Sequence, residues 1–213
     1  MKIKLNLIAL SLAAFVLQAC ATVYTDDNFA SYQEAHKEVA IIPFKVSIDA
    51  KNLPKDMNVD MLRQSELDEG VSFQKQMYSQ FLNKYQKGAY SVKFQDVDKT
   101  NVLLKRNNMD AENLGDFTKA EIGKALGVDS LISGTIKRAK PMSTGAAVAA
   151  AFLVGISATN EVNVNVTLHD SQEGNLLWSY DHQVTGGLGS SPERLSKNLM
   201  KSMSKKFPYE AKK

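Results

Sequence analysis

The chain reads as an α/β domain, loosely α+β: a single three-layer-like unit in which a mixed sheet of about five strands is flanked by helices, preceded by a separate N-terminal segment. Three observations predict this. Short runs rich in β-branched residues are separated by stretches whose apolar residues recur at helical spacing. Val162 to Leu168 alternates strictly between aliphatic and polar residues, and a glycine-bearing turn then leads into a second strand-like run. The 213 residues suffice for one domain with a proper core, and the apolar fraction of 44% is ordinary for a folded protein.

The N-terminal segment begins with a short basic stretch, Met1 to Lys4, followed by an apolar run from Leu5 to Leu17 broken only by Asn6 and Ser11. A helical membrane span needs about 20 apolar residues, so this run has the length of a signal-peptide core instead. Leu17-Gln18-Ala19-Cys20 follows and resembles the bacterial lipobox. The cysteine sulfur is the atom that receives diacylglycerol, and the small Ala19 gives the peptidase access to the bond. Cys20 is the sole cysteine of the chain, so no internal disulfide framework is possible, and the one thiol stands where a lipobox requires it. The sequence thus predicts a lipoprotein signal peptide over 1–19, a lipidated Cys20 with a tether over 20–37, and a domain over 38–209. Ala21 in place of an Asp favours the outer membrane, periplasmic face.

Val39-Ala40-Ile41-Ile42-Pro43-Phe44 reads as a first strand buried on both faces, with Pro43 removing a ladder bond and implying a bulge or an edge. Residues 49–60 read as a loop. Phe73, Met77, Phe81 and Tyr85 mark the buried stripe of a helix over Glu66–Gln86, closed by Gly88. Tyr90–Val97 alternates as a second strand, and Asp98 is expected to cap a short helix containing Val102, Leu103 and Leu104. Thr118 and Glu121 have capping-box spacing and Gly127 suits the exit of that helix, whose buried face is Ile122, Ala125 and Leu126. Val128–Lys137 is a third strand, with Gly134 marking a close backbone approach. Val162–Leu168 and Leu176–Val184 form a hairpin around Gly174. Gly186–Gly189 connects to a last helix, capped by Ser191 with Pro192 in its first turn, striped by Leu195, Leu199, Met203 and Phe207 and ended by Pro208.

VAIIPF (39–44), KALGVDSLISGTI (124–136) and VNVNVTLHDSQEGNLLWSY (162–180), in that order, resemble the CsgG-like and TolB-amino-terminal-like bacterial envelope lipoproteins. The likeness spans most of 38–207. It implies structural roles for Gly127 and Asp129 in a helix-exit turn, Asp170 and Gly174 in a hairpin turn, and Trp178 in the core. That group includes secretion-pore subunits and activators of peptidoglycan synthases, so it shares a scaffold and no single activity.

Charge excludes one class. The chain has 26 basic and 23 acidic residues, and loss of Lys2 and Lys4 with the signal leaves 24 against 23, without the basic stripe of a nucleic-acid binder. No nucleophile elbow or P-loop is present, since GGLGSS lacks the required lysine. His36, His169 and His182 match no metal-binding spacing; a metal held across the hairpin by His169 and His182 would need Asp170 or Asp181 as a third ligand. No cofactor is expected and the chain does not read as an enzyme.

Gly145 to Ser157 (GAAVAAAFLVGIS) is uncharged over thirteen residues, too short for a helical span and without the alternation of a barrel strand. Gly145, Val148, Phe152, Leu153, Val154 and Ile156 form either a small-residue helix packed on the sheet, a patch for self-association or membrane contact, or a pore-forming strand. The expected function is that of a membrane-anchored, non-enzymatic adaptor or assembly factor for other envelope proteins. The alternative is an oligomeric secretion or export component using 145–157.

Overall fold

The computed structural model describes residues 21–49, 57–138, 160–186 and 192–211. Cys20, the six residues named between Gly145 and Ile156, Ser191 and the side chain of Leu195 lie outside the described residues and side chains. Seven strands form one mixed sheet: β1 (Ala21–Thr25), β2 (Glu38–Ile41), β3 (Lys45–Ile48), β4 (Lys93–Phe94), β5 (Ser130–Arg138), β6 (Asn160–Asp170) and β7 (Leu176–Gly186). Their order is β1-β7-β6-β5-β2-β4, with β3 beside β5 beyond the end of β2. The β2, β3 and β4 pairings are parallel and the others antiparallel. The helices are α1 (Phe29–Ala35), α2 (Val59–Gln86), α3 (Val97–Arg106), α4 (Lys119–Leu126) and α5 (Pro192–Met203).

The layers follow from alternation. On β6, Val162, Val164, Val166 and Leu168 turn into the larger core with Phe73, Met77 and Phe81 of α2, Leu199 and Met203 of α5, and the fully buried Trp178 and Tyr180. A smaller core lies on the other face, where Ala40, Ile42 and Leu131 meet Leu104 of α3 and Ile122 and Leu126 of α4. β2 and the first half of β5 are therefore covered on both sides, which is why Val39–Ile42 and Leu131–Ile132 are unbroken apolar runs.

The sheet has seven strands where five are predicted, for two reasons. The first predicted strand splits: the ladder lapses from Ile42 to Phe44, around Pro43, and resumes as β3. The Phe44 ring then lies over Gly134, where an added Cβ would meet Phe44 Cε1 at 2.3 Å and the Asn165 carbonyl oxygen at 2.5 Å. The second reason corrects the predicted tether over 20–37. Residues 21–25 are paired from Ala21↔His182 to Thr25↔Trp178, and 29–35 are helical. Thr22, Val23, Tyr24 and Thr25 have β-favouring side chains, but on an edge strand with both faces exposed nothing imposes alternation, so the pattern gave no signal.

Three boundaries also move. α2 starts at Val59, seven residues before the predicted Glu66, because Asn58 caps it by accepting from the Met61 N–H. The cap of α3 is Asp96, not Asp98; Asp96 Oδ1 accepts from the N–H groups of Asp98 and Lys99. That cap also cuts the predicted strand over 90–97 down to Lys93–Phe94. The Thr118–Glu121 capping box and the left-handed Gly127 (φ 64°) stand as predicted.

Candidate functional site

The register defines two ends of the sheet. At the near end β1 and β6 begin while β3, β5 and β7 finish. At the far end β2, β5 and β7 begin and β6 finishes.

The far end holds a buried polar chain. His36, just after α1, places Nδ1 against the Tyr209 hydroxyl and Nε2 3.3 Å from Asp170 Oδ1. The Tyr209 hydroxyl also lies 3.0 Å from Ser130 Oγ. Burial drives the His36 pKa below its ordinary value, more than Asp170 and Asp129 raise it. In the neutral ring, Tyr209 O–H donates to Nδ1 and Nε2–H donates to Asp170. Asp170 Oδ2 accepts from the N–H groups of Gln172 and Glu173, fixing the hairpin turn. Asp129 Oδ2 accepts from the N–H groups of Lys37 and Glu38 at 2.6 and 2.8 Å, tying the exit of α4 to the start of β2. These carboxylates serve as structural clasps, the role that the family resemblance implies for Asp129 and Asp170.

A cleft of about 880 Å³ opens beside this chain, lined by Tyr32, His36, Lys124, Asp129, Asp170 and Ser171 among others. Ser171 Oγ is buried without a hydrogen-bond partner, pressed against Gly123. Both ring nitrogens of His36 are engaged, so the imidazole has none left to activate that hydroxyl. Sequence reasoning singled out His36 only as a lone histidine. Its partner Tyr209 carries no local signal, since the contact joins residues 173 positions apart.

His169 and His182 do not face each other across the hairpin. His169 lies opposite Leu176, whereas His182 lies opposite Val164. His169 shares the polar face of β6 with Asn165 and Thr167, while the His182 ring lies tilted against Tyr180 on the face toward the larger core. A hairpin register set by the 171–175 turn separates them along the strands and puts them on opposite faces. Burial lowers both pKa values, to about 4 for His169, with Lys119 and Lys206 adding repulsion at His169 and His182 respectively. Among the described residues, no group of three His, Cys, Asp or Glu is placed to hold a metal ion.

The near end is built differently. Arg138, the last residue of β5, is buried and paired with Glu69 of α2 at 3.1 Å. β5 ends at Arg138 and β6 begins at Asn160, so the connection containing 145–157 is joined to the sheet at this end. Ala21, the residue after Cys20, opens β1 at the same end. No helix of the described residues is long and apolar enough to cross a membrane.

Taken together, this is a mixed α/β sheet protein with a clasped far end and a near end from which its chemically notable segments emerge. No family model matches the chain, and no curated relative matches it. Among solved structures it is similar to the lipoprotein GNA1162 from Neisseria meningitidis, at 13% identity and a TM-score of 0.48, over 80% of this chain and 96% of that one. It is also similar to the PelC dodecamer from Paraburkholderia phytofirmans, at 13% identity and a TM-score of 0.47, over 90% and 99%. A third is the LpoB C-terminal domain from Salmonella enterica, at 11% identity and a TM-score of 0.36, over 71% and 84%. Likenesses this distant transfer neither residue roles nor an activity.

Proposed function

We propose that the chain is a bacterial envelope lipoprotein of the CsgG-like kind, acylated on Cys20, anchored in the outer membrane and facing the periplasm. It works without catalysis, as an adaptor or assembly factor that meets other envelope proteins. One observation carries the reading: the register of β1 sets the residue after Cys20 at the sheet end from which the apolar segment 145–157 departs. Lipid on the cysteine and an uncharged segment at one end give the domain a single side suited to a bilayer, and leave the clasped far end for partners. Ala21 is already in the ladder, so the anchor lacks the slack of a flexible tether. From the level of Ala21 and His182 to the start of β7 is six residues, so the far end reaches about 20 Å along the strands. Partners are therefore engaged close to the membrane, where anchoring raises their effective concentration.

Growth with labelled palmitate tests the anchor: label enters the wild-type protein and is absent from Cys20→Ser. Wild-type protein that takes up no label refutes the reading. Crosslinking in intact cells then tests the mode of action, with heteromeric adducts expected and monomer alone counting against an adaptor.

A second reading, a homo-oligomeric secretion or export component, draws on the same sheet end, where the connection containing 145–157 joins β5 to β6. It predicts detergent-extracted oligomers that require the segment, and a monomer with and without 145–157 removes it.

A further inference from the structure

The near end carries a second feature, and what it implies rests on the proposed acylation of Cys20. α2 runs antiparallel to β2 and β3. Gln74 Nε2 donates to the Ile41 carbonyl, the Phe44 N–H to the Gly70 carbonyl, and the Ile48 N–H to Glu66 Oε1. Each step along the strands toward the near end is thus a step toward the N-terminus of α2. Val59 precedes Glu66 by seven residues, so at 1.5 Å per residue the first turn of α2 projects about 10 Å beyond the end of β3. On that projecting turn Val59 is 76% exposed and Met61 51% exposed, whereas Leu62, Phe73, Met77 and Phe81 of the same helix are buried. Asn58 holds the turn rigid through its cap to the Met61 N–H.

Single exposed apolar residues are ordinary. This pair differs in its place. It stands toward the end of the sheet where Cys20 adjoins the ladder, but on the opposite side and about 17 Å further along the strands, because Ala21 is level with Val46, two residues short of Ile48. From β1 to β3 the path crosses four strand spacings, through β7, β6 and β5, or about 19 Å at 4.8 Å each. With Ala21 paired to His182, no residue intervenes between Cys20 and the sheet, so acylation there would hold the near end against the bilayer surface. Of the partners that could cover the pair, the bilayer is the one this geometry already brings there.

We propose that the first turn of α2 is a second membrane contact, seating Val59 and Met61 in the headgroup–acyl boundary of the bilayer that holds Cys20. An acyl anchor alone fixes a point and leaves the domain free to tilt. Two contacts about 19 Å apart across the sheet and about 17 Å apart along the strands fix the tilt, so that the strands lean by roughly 40° from the membrane normal with the His36–Tyr209 end facing outward. Asp60, between the two apolar residues, complements the helix N-terminus and stays at headgroup level.

The test uses the full mature, acylated protein. The thioether consumes the Cys20 sulfur, so Met61→Cys or Leu176→Cys supplies a unique thiol for bimane, and Leu176 is a partly exposed far-end reference. The vesicles are phosphatidylethanolamine with phosphatidylglycerol, doped with a headgroup-nitroxide lipid. Quenching at position 61 at least threefold that at position 176 is expected. Equal quenching at the two positions, in protein whose mass includes the acyl chains, overturns the second contact and leaves the anchor standing. A mass without acyl chains overturns both. Val59→Ser with Met61→Ser, at positions too exposed to threaten folding, should raise quenching at position 176 as the domain is freed to tilt. Quenching there that does not change also overturns the proposal.

Discussion

The two ends of one sheet are held by opposite means. At the far end the polar groups are neutral or bonded to backbone N–H groups, and they join segments distant in sequence: 36 with 209, 37 and 38 with 129, 130 with 209. At the near end the side-chain clasps to α2 are the ion pair of Arg138 with Glu69, in which Arg138 Nε has no partner, and the Ile48 N–H donating to Glu66 Oε1. A hydrogen-bonded clasp excludes alternatives by geometry, because each donor must find its acceptor. An ion pair at the strand end stabilises chiefly by keeping each charge from being left alone. The end that must keep one shape for partners carries the first kind.

The largest effect is therefore expected at the near end. Glu69→Ala leaves the Arg138 guanidinium buried without its carboxylate and should cost about 3–5 kcal/mol. Replacing both partners by apolar residues, Glu69→Leu with Arg138→Met, should recover most of that loss. Denaturant unfolding of the three variants checks the pair, and a double variant as unstable as the single would show that the charges have a further role. At the far end Tyr209→Phe removes one hydroxyl shared by His36 and Ser130, with an expected cost of about 1–3 kcal/mol. A cost near zero would mean that the clasp is ornamental and that the contrast between the ends fails.

Acid should reach the far end and the sheet face first. Burial depresses the pKa of His36, His169 and His182 in the folded state, His169 to about 4, against an ordinary value near 6.5. Between those values the unfolded chain binds protons that the folded chain refuses, so stability is complete above pH ~6.5 and falls as pH drops toward 4. Denaturant midpoints measured from pH 7.5 to 4.5 should decline through this window, and His169→Gln should flatten the decline. A midpoint independent of pH would remove the argument that these rings are buried neutral.

The legible parts of this fold were those written in local periodicity. The stripe of Phe73, Met77 and Phe81, the alternation of Val162 to Leu168 and the Thr118–Glu121 box each state their own environment. β1 was illegible because an edge strand open on both faces imposes no alternation, and the start of α2 because Asn58 caps a first turn in which Val59 and Met61 face outward. The far-end chain was illegible for another reason. His36, Asp170 and Tyr209 meet only through the tertiary fold, and no spacing in a sequence encodes a contact between residues 173 apart. Asp129 and Asp170 came into view through the family-like phrases, as turn residues, but not as the acceptors that close the sheet.

The smallest expected effect probes how α4 delivers Asp129 to that clasp. Gly127 sits at φ 64°, and an added Cβ would meet nothing within 4 Å, so Gly127→Ala should cost about 1 kcal/mol from backbone strain alone. Gly127→Asn should cost less, because Asn tolerates this conformation, as Asn108 does here at φ 56°. Gly134→Ala supplies the contrast: its φ is ordinary, but its Cβ would collide with the Phe44 ring and the Asn165 carbonyl, and overpacking of this kind costs about 1–3 kcal/mol. Thermal unfolding of the three variants should rank them Gly134→Ala, Gly127→Ala, Gly127→Asn from most to least destabilised. If Asn at 127 were as costly as Ala, strain would not be the cause, and the turn that carries Asp129 would have to be read as a packing contact.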